Sequence, residues 1–174
     1  MSDLMEGLLK RRSVRAYKPD MVPQEAIDKI LEAGTYAPTG SGRQSPIIIA
    51  VTNQAMRDKL SAMNAKVMGK EGDDPFYGAP VVLVVLADKS KSTYLYDGSL
   101  VMGNLMLAAY DQGLGSCWIH RAKEEFESEE GKAILRELGI EGDYEGIGHC
   151  VLGYAAQPLP APSPRKDHYV YYIK

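Results

Sequence analysis

Two cysteines in 174 residues, Cys117 and Cys150, are too few for the disulfide framework of a small secreted protein. No apolar run approaches the roughly 18 residues that cross a bilayer. The opening MSDLMEGLLKRR has no apolar leader core, so a cytoplasmic protein with reduced thiols is expected. Neither sign of charge is in excess: 20 basic and 23 acidic side chains leave −3, without the broad positive field of a nucleic-acid or anionic-membrane binder. Any anion must be held locally. Also missing are G-x-G-x-x-G, G-x-x-x-x-G-K-[ST] and G-x-S-x-G, the marks of Rossmann, Walker-type and nucleophile-elbow sites.

What is present is an ordinary globular composition, 45% hydrophobic and 25% charged, expected to form one domain over residues 1–174. A chain of this size buries roughly two-thirds of its unfolded surface and needs no metal or disulfide to do so. Apolar spacing predicts helices over 3–10, from Pro23 to about 34–38, over 54–68, 97–112 and 129–138. Strands are predicted at 47–51, 116–120 and 147–154, and at 79–87 (APVVLVVLA), which is apolar on both faces and therefore central. The 97–112 helix is apolar nearly all round and rich in small residues. So small a chain cannot surround such a helix alone, and a second subunit is expected on it. From about 156 to 174 the chain reads as an arm: Pro158, Pro160, Pro162 and Pro164, then the strand-like YVYYI of 169–173.

Four side chains stand out for anion binding: Arg11, Arg12, Ser13 and Arg15 offer guanidinium forks and a hydroxyl suited to a phosphate monoester. The same cluster also describes a solvated basic face. The four-residue spacing of Arg11 and Arg15 makes them converge if the stretch continues as a helix, and Arg165-Lys166 supplies a second basic pair at the end of the proline arm. The 37–46 loop carries Thr39, Ser41, Gln44 and the amides of Gly40 and Gly42, donors and acceptors fit for the edge of a heterocycle, although alone it is a surface loop. Cys117, His120, His149 and Cys150 nominally form a zinc set. However, His149 and Cys150, adjacent in a strand, point to opposite faces, so no metal site is expected. The carboxylates, Glu124 to Glu130 especially, read as solvent face, and no catalytic acid–base pair is found.

In order along the chain, Arg11-Arg-Ser-Val-Arg15, Ala37-Pro-Thr39, Ala79-Pro80, Gly113-Leu-Gly-Ser-Cys-Trp118-Ile119, Val151-Leu-Gly-Tyr154 and the proline-rich stretch to Arg165 resemble the FMN-dependent nitroreductase family. The resemblance implies an α+β fold with a central, mostly antiparallel sheet flanked by helices, and an intertwined homodimer whose arm reaches the partner. It also implies two FMN sites at the interface. On that resemblance Arg11, Arg12, Ser13 and Arg15, with Arg165, hold the phosphate. Pro38, Thr39, Gly40 and Gln44 reach the flavin from the other subunit, Trp118, Ile119 and His120 lie beside the isoalloxazine, and Asn64 matches an asparagine near its pyrimidine edge. This chain departs from the family at Thr39, Gly42, Ser45 and Pro46, and has His120 where glycine is common. The roof over the pocket is expected to shrink to about 66–77.

The implied activity is hydride transfer from NADH or NADPH through FMN to a nitroaromatic, quinone or related electrophile in ping-pong order, with the chemistry carried by the flavin and no dedicated catalytic side chain. The alternatives are a specialised flavin-consuming or dehalogenating relative and a non-catalytic flavin-binding or sensory protein.

Overall fold

Val81 to Ala87 form an unbroken row of fully buried residues, which only a strand covered on both faces accommodates. A computed structural model describes residues 3–174 and places this row, β2 (Val81–Asp88), inside a four-stranded antiparallel sheet of order β1-β2-β4-β3. The other strands are β1 (Pro46–Val51), β3 (Gly115–Ile119) and β4 (Tyr144–Gly153). Even-numbered β2 residues, with Cys117, Ile119 and Val151, join a core that includes Leu60 and Met63 of α3 (Gln54–Met68), Phe126 of α5 (Ala122–Glu127) and Ile134 of α6 (Glu129–Glu137). Odd-numbered β2 residues, with Cys150 and Leu152, face α2 (Gln24–Thr35) and α4 (Tyr94–Asp111). Each fully buried aliphatic side chain in these layers contributes about 1.5–3 kcal/mol.

Local chemistry explains the element ends. Asn53 caps α3 by accepting the Met56 amide at 3.0 Å, and Gly69 closes it in the left-handed conformation at φ 68°. Gly34 lets α2 close on α4, where a Cβ would lie 2.6 Å from Leu105. Strand β4 changes pairing between Val85/Gly148 and Leu86/Gly146, leaving Ile147 as an extra, bulged residue. Alternation reverses there. His149 lies on the α3/α5 side and Cys150 on the α4 side, whereas Ile147, two residues before His149, packs toward α4.

Four expectations need correction. The condition for Arg11 and Arg15 to converge, a helix continued past α1 (Asp3–Lys10), is not met, because Ser13 forms a parallel bridge to Ser116 and Val14 donates to the Ser116 carbonyl at 2.9 Å. Residues 122–127 form a helix whose Glu125 is 1% exposed, so the acidic stretch is not wholly solvent face. The 97–112 helix begins earlier, at Tyr94, and ends at Asp111. Residues 169–173 are not a strand within the chain: every residue from 156 to 174 is exposed, Ile173 completely.

Candidate functional site

Ser13 pairs with Ser116 beside the start of β3, with Arg11 and Arg15 two residues to either side of it. Burial pushes the Cys117 thiol up from its ordinary value, while Arg15, Ser13 and Arg11 beside it pull the other way. Ser13 and the charges of Arg11 and Arg15 thus all act on Cys117 at the edge of the sheet. Tyr17 locks the segment by donating its hydroxyl to the Val14 carbonyl at 3.0 Å, and its burial raises that phenol well above the usual range. Arg12 is partly spent on structure: its Nη1 donates to the carbonyls of Leu9 at 2.8 Å and Arg11 at 2.6 Å, closing the end of α1. By contrast, Arg11 Nη1 and Arg12 Nε are buried with no hydrogen-bond partner among the described residues. Buried donors of this kind are costly unless something accepts from them.

The second group lies where β3 ends. Trp118 packs over Gly148, where a Cβ would come within 2.3 Å of the indole nitrogen, and the buried Nε1 has no partner. Its ring pairs with that of the exposed His120 at 5.9 Å and 40°. Together with Arg121, Ile147 and Leu95 and Ser99 of α4 they border a cleft of about 430 Å³. Ile119, between them, is buried in the opposite layer.

Pro38, Thr39, Gly40 and Gln44 form a third group, anchored by a residue that sequence reading passed over. Asp97, 2% exposed, accepts the Gly40 amide at 2.9 Å, the Ser45 hydroxyl at 2.7 Å and the Thr93 hydroxyl at 3.0 Å. Burial pushes its carboxyl up, but these three donors outweigh that and hold it below the usual carboxylate value. Within the loop, Thr39 Oγ1 accepts the Gln44 amide at 3.1 Å. Only the acidic letter inside an apolar helix signalled this anchor.

Asn64 is wholly buried. Its Nδ2 donates to the His120 carbonyl at 2.8 Å and to Glu125 Oε1, and its Oδ1 accepts from Arg121 Nε at 2.8 Å. Of the stretch 66–77 expected as a reduced roof, 66–68 belong to α3, and the connection after it is pinned by Asp74, which accepts from Arg57 Nη2 at 2.5 Å and Ser61 at 2.6 Å. Arg165 sits on the exposed arm and, among the described residues, donates to the Ser163 carbonyl alone. Among the described residues no hydrogen bond or ion pair joins Arg165 or the 38–44 loop to Arg11–Arg15. Among the same residues no cluster of three or more metal-ligating side chains occurs, and no helix is long and apolar enough to cross a membrane.

The family model for the nitroreductase family matches residues 8–154. An Archaeoglobus fulgidus protein, provisionally named NADH dehydrogenase/NAD(P)H nitroreductase, is 30% identical over 174 residues, covering 97% of this chain and 91% of that one. A Methanothermobacter thermautotrophicus protein of the same name is 33% identical over 120 residues, covering 67% of this chain and 60% of its own. A crystal structure of an FMN-bound nitroreductase from Bacteroides fragilis superimposes with a TM-score of 0.90 at 27% identity and complete coverage of both chains.

Proposed function

Since the chain belongs to the nitroreductase family, we propose that it is an FMN-dependent NAD(P)H oxidoreductase, reducing flat electrophiles such as nitroaromatics or quinones. The observation that carries this reading is the buried, partnerless guanidinium N–H of Arg11 beside Ser13 and Arg15. These donors match a phosphate monoester in charge and in hydrogen-bonding sense. FMN, when bound, supplies the hydride-transfer chemistry.

The chain's own residues do the rest. Arg11, Ser13 and Arg15 hold the phosphate, and the remaining Arg12 Nε donates from the side. The Trp118 and His120 side chains, and the backbone N–H groups of the Trp118-Ile119-His120 segment, would edge the flat ring. Trp118 limits the slot on the α4 side, and the exposed His120 imidazole is free to donate a hydrogen bond to an acceptor oxygen. Asp97 holds the 38–44 loop in a fixed shape, ready to be presented to another subunit. One open slot that takes nicotinamide and acceptor in turn accounts for a ping-pong order.

The molecule works as a cytoplasmic homodimer. Leu4, Leu8, Leu9, Leu95, Tyr96 and Leu100 expose apolar surface on α1 and α4, and every residue of the 156–174 arm is exposed on its own subunit. Both are accounted for when the arm crosses to the partner and carries Arg165 to the second phosphate. The test is the visible spectrum of the purified protein before and after anaerobic NADH or NADPH. A yellow protein that either nicotinamide bleaches and menadione restores is expected. A yellow protein that neither bleaches contradicts the reductase, and a colourless one that takes up no added FMN contradicts the site.

A further inference from the structure

Behind the His120–Arg121 turn lies a buried polar cluster that the proposed chemistry does not use. Arg121 adopts φ 79°, a left-handed conformation in a non-glycine residue, and opens α5 with no side-chain cap. Such a residue persists only where its surroundings over-determine it. Here they do. Asn64 grips the turn twice, through the carbonyl of His120 and the guanidinium of Arg121. Its amide cannot turn round, because Glu125 Oε1 requires a donor and Arg121 Nε an acceptor. The Glu125 amide returns to the Arg121 carbonyl at 3.0 Å, closing a ring of contacts through residues 121, 64 and 125.

The ring is expensive. Glu125 and His149 are both without exposed side-chain surface, and His149 Nε2 faces Glu125 Oε2 at 3.2 Å off the line of a hydrogen bond. His149 Nδ1 also has no partner among the described residues. Replacing such buried polar groups by an apolar filling is often neutral or stabilising, so burial energy alone does not account for the arrangement.

We infer that Asn64, Glu125 and Arg121 form a closed clamp, backed by His149, that fixes the His120–Arg121 turn, so that Asn64 acts on bound FMN through this turn rather than by touching it. The inference rests on the FMN reading for its consequence, but the clamp itself is a property of the free chain. Asn64, Glu125 and Arg121 are positioning residues in this scheme. Their deletion effects are therefore shared, not summed, because each breaks the same ring.

The test uses the full-length chain with and without added FMN, in Asn64→Ala, Glu125→Leu, the pair combined, and Glu125→Gln, which keeps an oxygen acceptor at the same place. Two readouts are taken: amide hydrogen exchange across residues 118–122, and FMN affinity from quenching of flavin fluorescence. Both single variants are expected to speed exchange at the turn without FMN and to weaken FMN binding about tenfold, the equivalent of one lost buried hydrogen bond. The double variant falls no further than the worse single, and Glu125→Gln recovers most of both losses. Unchanged exchange in Glu125→Leu overturns the clamp, and unchanged exchange in Asn64→Ala overturns it equally if the leucine variant does not fold. Faster exchange with unaltered FMN affinity overturns the role assigned to it. A loss of affinity in Asn64→Ala alone, with exchange and Glu125→Leu unaffected, makes Asn64 a direct contact and also overturns it. A wild-type chain that exchanges slowly at the turn yet binds no FMN leaves the clamp standing and removes the FMN reading and the role built on it.

Discussion

Asp97 Oδ1 accepts the backbone N–H of Gly40 at 2.9 Å, tying the first turns of α4 to a loop 57 residues earlier. The approach is close: a Cβ on Gly40 would stand 2.3 Å from Thr93 Oγ1. Asp97→Ala strands the Gly40 amide and the Ser45 hydroxyl inside the protein, and is expected to lower stability by about 2–4 kcal/mol, read from urea denaturation. Because the folded carboxyl is held below its ordinary value, the stability it contributes is complete above the unfolded value of about 4. It disappears as pH falls through the lower folded value. The wild type should therefore lose more stability than Asp97→Asn between pH 5 and pH 3, and parallel losses would contradict the assignment.

Removing Arg11 and Arg15 together should cost FMN retention far more than folding. Each charge-assisted bond to a partly buried phosphate is worth about 1.5–3 kcal/mol, so Arg11→Ala/Arg15→Ala should raise the FMN dissociation constant by at least about 100-fold. Equilibrium dialysis reports this directly. Retention equal to wild type would remove the phosphate assignment.

Gly146 and Gly148 leave room on opposite faces of β4. A Cβ at 146 meets the Ala122 carbonyl carbon and oxygen at 2.2 Å, and one at 148 meets the Trp118 indole. Backbone cannot yield as a side-chain tip can, so Gly146→Ala should cost about 3 kcal/mol or more and loosen α5. Gly148→Ala should instead turn Trp118 and shift its fluorescence at a smaller loss of stability. Thermal melts and emission spectra of the two variants separate these outcomes.

Deleting residues 157–174 removes only exposed chain. Circular dichroism should show the fold retained, while sedimentation shifts from dimer to monomer and FMN affinity drops about tenfold or more as Arg165 is lost. A truncated chain that still sediments as the full dimer would contradict the crossing arm.

Much of this was legible because single residues carried single meanings. VVLVVLA can only be a strand covered on both sides, and four alternate prolines can only be an arm. A helix continued past residue 10 would have put Arg11 and Arg15 on one face, but Ser13 instead pairs with Ser116 at the sheet edge, and the spacing of charges does not record which edge a segment will meet. Helix α5 escaped because AKEEFE has only Ala122 and Phe126 as apolar marks, and a buried Glu125 looks like any surface glutamate until its partners are known. Asp97 and the contacts that Asn64 makes were hidden for the same reason: the partners of Asn64 lie 56 to 61 residues away, and two of those of Asp97 lie 52 and 57 away. Periodicity does not record such long-range hydrogen bonds.

The bulge at Ile147 sets a rule for how this chain can vary over evolutionary time. Losing or gaining one residue between Gly146 and Gly148 would swap inside for outside along the rest of β4 toward Tyr144, turning Glu145 away from Lys123, which it now meets at 3.1 Å. Substitutions can accumulate in this strand one at a time, whereas a change in its length must be matched by a compensating one nearby. Descendants should therefore conserve the spacing of Gly-Ile-Gly more strictly than the identity of the residue in the middle.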